Sequence, residues 1–320
     1  MRPAPLVLAI TVGVLLNGCS GTEKHLQQAT LVLDFTPNAV HSGIYSALAR
    51  GYDRSEGVRL HVVQPSESTD SVKLLLTGRT NFAVLDIHDL AIARAQGADI
   101  VGVLALVQRP LAAVIAQPQI GSPRQLQGAT VGVTGLSSDE AVLRSVIAGA
   151  GGDARRVKRV NIGFQAVPSL LSNRVDAVTA FWDVEGVELT KARPAIHEFR
   201  VDEYGAPSYP ELVVCVSAAE IARHPGLVRH VVHAIQRGYA VTLHNPGGSV
   251  DDLLKEVPTL NRTVLSEQMR ALRGAFLGSE PRFGELDIPR LRTWASWEAR
   301  FGIVSAPPRV SAMFDPSFAG

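Results

Sequence analysis

A carboxylate, two aromatic rings, an amide and an imidazole fall within twelve residues of one another, at Asp34, Phe35, Asn38, His41 and Tyr45. Such a set suits a pocket with apolar walls and a few placed polar groups. Smaller groups of the same kind recur downstream: Asp86 with His88, Ser137 with Ser138, and Trp182 with Glu185. The chemistry they offer is recognition. A carboxylate accepts from an amine, and Glu185 is the first choice for that edge contact. Trp182 and either Phe35 or Tyr45 offer faces for a flat ring. Asn38 and His41 reach a polar substituent. Ser137, Ser138 and the N–H groups opening their helix hold an oxygen-rich group. Each residue also has a structural reading. Thr36-Pro37-Asn38 is turn chemistry, and Asn38 and His41 sit where helix caps sit. Trp182 reads equally as core, His88 as a satisfied polar group at a helix start, and Glu185 as a solvated loop carboxylate.

Each group directly follows an apolar run. Residues 31–33 lead into the Asp34 corner, and a helix over 41–50 leaves it, with Ile44, Ala47 and Leu48 on one face. Residues 58–63 alternate as a second strand. Residues 81–85 form a third, ending at Asp86-Ile87-His88-Asp89, and 100–107 a fourth. This is β-α-β-α-β at short spacing, the pattern of a parallel sheet. A second series begins at 130–133, continues through a helix over 141–148 and a strand at 157–162, and ends with a strand at 175–181. Ser137 and Glu140 have capping-box spacing at its first helix. Apolar strands at 111–116 and 212–216 lead out of the first unit and back to it. The remainder reads as helical, and Leu291, Trp294 and Trp297 are expected to pack in the core. The pattern predicts an α/β chain of two lobes joined by two crossover strands. Every candidate residue then converges on the cleft between the lobes, at the carboxyl ends of strands. Closure of such a cleft by hinge bending captures a ligand.

The chain has 320 residues, 46% hydrophobic and 19% charged, enough for two lobes with proper cores. Arg2 and the apolar run 6–16 form the first parts of an export signal, too short to span a bilayer as a stable helix. Leu16-Asn17-Gly18-Cys19 resembles a bacterial lipobox, which implies cleavage before Cys19 and acylation of its thiol. Loss of residues 1–18 leaves 30 basic against 30 acidic residues, with no basic stripe to suggest nucleic acid. The second cysteine, Cys215, lies in an apolar strand and reads as a buried hydrophobe, so no disulfide or cysteine metal site is expected. The expected organisation is a signal peptide over 1–18 and a lipidated tether over 19–29. One lobe takes 30–114 with 213–306, the other takes 115–212, and an irregular tail takes 307–320.

Residues 34–45 (DFTPNAVHSGIY), 108–115 (QRPLAAVI), 122–128 (SPRQLQG), 138–143 (SDEAVL) and 181–186 (FWDVEG) together resemble a known family. It comprises solute-binding lipoproteins of bacterial ABC importers, in the group similar to thiamine-pyrimidine-precursor binders and fungal thiamine pyrimidine synthases. The likeness runs over about residues 30–300. The first and last stretches are the more specific, while Ser-Pro-x-x-Leu-x-Gly marks a wider class that includes sulfonate, taurine and nitrate binders. The resemblance implies a type II periplasmic-binding fold and capture of a small aromatic heterocycle, most readily a thiamine aminopyrimidine precursor. It also implies partnership with a permease and its ATPase, no cofactor or metal, no catalysis, a monomer, and a place in the cell envelope. Riboflavin-like compounds and organosulfonates are the alternative ligands. A pyrimidine synthase is the distant alternative: His88 matches the position of that family's reactive histidine, but the cysteine-rich stretch of the fungal enzymes is missing.

Overall fold

The computed structural model describes residues 26–136 and 138–320. The proposed signal peptide, Cys19 and Ser137 lie outside the described residues. Among the described residues ten strands form two five-stranded sheets. The first sheet contains β1 (Gln27–Val32), β2 (Val58–Val63), β3 (Phe82–Asp86) and β4 (Ile100–Ala105). The second contains β5 (Ala112–Ala116), β6 (Thr130–Val133), β7 (Lys158–Asn161), β8 (Ala177–Phe181) and β9 (His197–Arg200). β10 (Leu212–Ser217) returns to the first.

The two sheets have matching layouts, β2-β1-β3-β10-β4 and β7-β6-β8-β5-β9. In each, three parallel strands lie beside an antiparallel crossover strand: β10 against β3 and β4, β5 against β8 and β9. The crossovers run almost wholly buried, which accounts for the unbroken apolar runs at 111–116 and 212–216. All of β5 pairs in the second sheet, so the lobe boundary falls before Ala112 and not at 115.

Helices cover the sheets. α1 (Ser42–Ala49), α2 (Tyr52–Ser55), α3 (Asp70–Leu76) and α4 (Ile87–Ala95) belong to the first lobe. α5 (Ser138–Gly149), α6 (Ala166–Leu171) and α7 (Glu185–Ala192) belong to the second. The chain then returns through α8 (Ala218–Arg223), α9 (Pro225–His244), α10 (Pro246–Glu256), α11 (Arg262–Leu272), α12 (Ile288–Arg300) and α13 (Val310–Met313), packing on the first lobe. Trp294 and Trp297 are buried in its core.

Two further expectations are corrected. β1 begins at Gln27, so residues 27–29 are sheet and not tether. The polar Gln27 and Gln28 are its exposed end, paired with Val58 and Arg59. The tail is ordered: Val310, Met313, Phe314 and Phe318 are buried, and Phe314 bridges to Gly102 beside Trp294. Its apolar residues, and not its prolines, decide its fate.

α1 carries the Asp34 corner, and its placement depends on a close crossing with α9. A Cβ on Gly238 would sit 1.9 Å from the Gly43 carbonyl oxygen, and one on Gly43 would meet the Tyr239 ring at 2.3 Å. Only glycine allows the helices this near. The Tyr239 hydroxyl then donates to the Val40 carbonyl at 2.6 Å, and Ser46, Ser249 and Thr242 share buried hydroxyl contacts. Gly238→Ala is expected to destabilise the protein by about 1–3 kcal/mol, because the clash is with backbone that cannot rotate away. Urea unfolding followed by circular dichroism checks this.

Candidate functional site

A cavity of about 100 Å³ lies between the lobes. It opens just beyond the carboxyl ends of β1, β3, β6 and β8, where an open α/β sheet places its ligands. From the first lobe it takes Asp34, Phe35, Asp86 and Asp89. From the second it takes Thr134, Ser138, Asp139, Phe164, Phe181 and Glu185. Five of these are carboxylates, and no Lys or Arg lines the cavity among the described residues.

Aromatic rings from both lobes meet here. Phe35 and Phe164 pack edge to face, with centroids 4.6 Å apart and planes at 86°. The lobes also touch where the Ser68 hydroxyl donates to the Thr134 carbonyl at 3.2 Å. Further contacts are the Lys191–Glu267 pair at 3.0 Å and Arg144 Nη1 donating to the Phe301 carbonyl at 2.7 Å.

Each acidic side chain has its own support. Asp34 Oδ1 lies 2.8 Å from His41 Nε2. The Asn38 N–H donates to His41 Nδ1 at 3.3 Å, so the imidazole proton belongs on Nε2 and points at Asp34. Asp86 accepts the His88 N–H at 2.7 Å. Glu185 accepts the Phe181 N–H at 3.2 Å. Asp139 accepts from the hydroxyls of Thr179 at 2.6 Å and Thr134 at 2.8 Å, and from the Gly135 N–H at 3.0 Å. Asp89 and Ser138 line the cavity from facing lobes.

Burial dominates their electrostatics. It pushes the Glu185 carboxyl up to about 7, with Glu188 and Asp34 adding repulsion against the backbone bonds that favour the ion. Asp86, Asp89 and Asp139 are also raised, first by burial. Asp183, two residues before Glu185, is fully buried, and neither of its oxygens has a partner among the described residues. Burial, then Glu185 and Asp34, lift it well above the usual range, so it keeps its proton.

The expected site residues divide. Asp34, Phe35, Asp86, Ser138 and Glu185 line the cavity. Asn38 and His41 do not: Asn38 caps the turn, accepting the Val40 N–H at 2.9 Å, and His41 is buried behind Asp34 as its orienting donor. Tyr45 is in the core of the first lobe, because α1 begins at Ser42 and turns that face inward. Phe35 is therefore the ring on the cavity. Trp182 is corrected too. Phe181 faces the cavity, while Trp182 packs behind it, donating from Nε1 to the Pro110 carbonyl at 2.9 Å under the Arg200 guanidinium. His88 lies beneath the floor, enclosed by Glu298, Tyr209, Trp294 and Trp297. Burial lowers its pKa, but Glu298, Asp86 and Glu211 outweigh burial and push it up to about 10.

Asp86, His88 and Glu211 bring ligating atoms within 4.8 Å of one another. A metal ion there would have to displace the imidazole proton, so the trio reads as an internal ion cluster. Phe164, Asp89 and Thr134 escaped the sequence reading. Phe164 and Thr134 obey the rule that found the others, lying just past β7 and β6. Asp89 sits three residues along α4 from Asp86, one helical turn on the same face.

Residues 38–249 match the family described as NMT1/THI5 like, and the chain belongs to it. It is 30% identical to a formylaminopyrimidine-binding protein of Halalkalibacterium halodurans over 86% of this chain and 88% of that one. It is 27% identical to the riboflavin-binding protein RibY of Chloroflexus aurantiacus, over 99% and 98%. A third relative, from Legionella pneumophila, is a 4-amino-5-hydroxymethyl-2-methylpyrimidine phosphate synthase, 24% identical over 76% and 77%. Among solved structures, the periplasmic nitrate-binding protein NrtA of Synechocystis superposes with a TM-score of 0.72 at 10% identity, covering 92% of this chain and 87% of that one. The fold is thus the two-lobed periplasmic-binding fold that the resemblance implies, with the two crossover strands that the strand pattern predicts.

The raised Glu185 pKa sets a pH dependence. Its ionised form is penalised only in the folded state, so folding stability falls as pH rises from about 4.5 toward 7. Glu185→Gln removes the penalty. The ligand-free variant is expected to gain about 2–3 kcal/mol over wild type at pH 8 relative to pH 4, measured by urea unfolding at both values.

Proposed function

We propose that the protein is the solute-binding component of an ABC importer and captures a small aminopyrimidine of the thiamine-precursor type. The observation that carries this reading is the cavity lining: five carboxylates, phenylalanine rings from both lobes and no basic side chain among the described residues. An aminopyrimidine presents an exocyclic amine beside a ring nitrogen, and two π faces. A carboxylate accepts from the amine, and from the ring nitrogen when that is protonated. Phe35, Phe164 and Phe181 supply apolar surface for the ring. The lining disfavours sulfonate or nitrate, which need cationic or N–H donors. The riboflavin reading draws on the RibY relative.

Capture would proceed by closure of the lobes over the solute, followed by delivery to a permease driven by an ATPase. The export signal and Cys19 support an acylated anchor in the cell envelope, with the protein acting as a monomer. Among the described residues no helix is long and apolar enough to cross a membrane. No catalytic step enters this reading. The histidine at the synthase-like position faces Glu298 and Tyr209, away from the cavity.

Thermal-shift screening with thiamine, its aminopyrimidine precursors, riboflavin, taurine and nitrate tests the proposal. Stabilisation by the aminopyrimidines is expected, and stabilisation by taurine or nitrate alone overturns it. Glu185→Gln should weaken the preferred ligand tenfold or more, about 1.4 kcal/mol. Unchanged affinity removes Glu185 from the site.

A further inference from the structure

We propose that Asp89 selects the ligand's charge, receiving a protonated amine carried by the heterocycle between itself and the Ser138 hydroxyl of the facing lobe. The inference rests on the aminopyrimidine reading and deepens it to a substrate class: a ring bearing a cationic primary amine besides its ring amine.

The argument is one of unused bonding capacity. Asp34 is engaged by the buried His41, Glu185 by the Phe181 N–H, and Asp86 by the His88 N–H with the protonated imidazole beneath it. Asp139 spends both oxygens on Thr134, Gly135 and Thr179, which fix the loop opening α5. Asp89 has none of this. It lines the cavity, partly exposed to it, together with Ser138 of the facing lobe. Carboxylates have about four acceptor sites, so Asp89 can take further donors without giving up a structural bond.

Its surroundings favour a cation. Burial raises its pKa well above the carboxylate range, with Asp86 and Asp139 adding to the rise and His88 opposing it. An ammonium group placed there meets three carboxylates in a site of low dielectric.

Calorimetric titration of the full chain with two probes tests this. One is 4-amino-5-hydroxymethyl-2-methylpyrimidine, neutral in its side chain. The other is its 5-aminomethyl counterpart, cationic at pH 7. Wild type is expected to bind the aminomethyl compound ~10-fold or more tightly than the hydroxymethyl one. Asp89→Asn is expected to cut that preference ~10-fold or more, weakening the aminomethyl compound far more than the hydroxymethyl one. Asp89→Ser gives the same comparison should the asparagine variant not fold. Equal binding of both probes by wild type, or a preference that survives at residue 89, overturns the role of Asp89 and leaves the aminopyrimidine reading standing. Binding of neither probe to wild type overturns both.

Discussion

Two sheets that share one cleft are joined by strands that leave one and enter the other, and the bonds at that junction hold everything else in register. Glu211 makes those bonds. It stands at the entrance to β10, the returning crossover, and its Oε2 accepts the N–H groups of Leu111 at 2.5 Å and Ala112 at 3.1 Å, where the outgoing crossover begins. Its backbone carbonyl accepts the Ile87 N–H at 2.9 Å, fixing the end of β3 and the start of α4. Glu211 and Asp86 also bring carboxylate oxygens within 4.8 Å of one another, and after burial and against His88 the charge of Glu211 helps to raise the Asp86 pKa. The residue that ties the crossovers thus stands beside a residue that lines the cavity. His88 lies 3.9 Å from the free oxygen of Glu211 and supplies the positive charge that this buried cluster needs.

The cleft is electrostatically unfavourable when empty. Burial raises Asp86, Asp89, Asp139, Asp183 and Glu185, and each ionised carboxyl adds to the repulsion felt by its neighbours. Protons relieve part of this, as at Asp183, and fixed hydroxyl and N–H donors relieve more at Asp139. A ligand with amine donors relieves the rest. Binding energy here comes from correcting an imbalance built into the fold, with aromatic surface adding the apolar contribution. The proposed selectivity follows from the same imbalance, since an anion would add to it.

The fold was legible because strands and crossovers differ in pattern. Short β-α-β units gave the parallel strands, and two unbroken apolar runs gave the buried crossovers. The rule that ligands gather past strand ends located Asp34, Phe35, Asp86, Ser138 and Glu185 on the cavity. It could not say which way a side chain turns within a corner. Asn38, His41 and Tyr45 share the corner with Asp34, but the turn after β1 is closed by the Asn38 cap and sends α1 inward. Trp182 follows Phe181 by one residue, and that step carries it behind the cavity wall. His88 is placed by residues more than a hundred positions away, Tyr209, Glu211 and Glu298, which no local pattern reveals. Phe164 and Asp89 were missed for lack of surrounding motif, although their positions obey rules already in use.

The most direct test of this account is a crystal structure of the protein with an aminopyrimidine bound. The account predicts a closed cleft with the ring against Phe35 and Phe164 and its amine nitrogens within hydrogen-bond distance of the Glu185 or Asp89 carboxylate. A ring bound outside the inter-lobe cavity, or an anion occupying the cavity in its place, would contradict it.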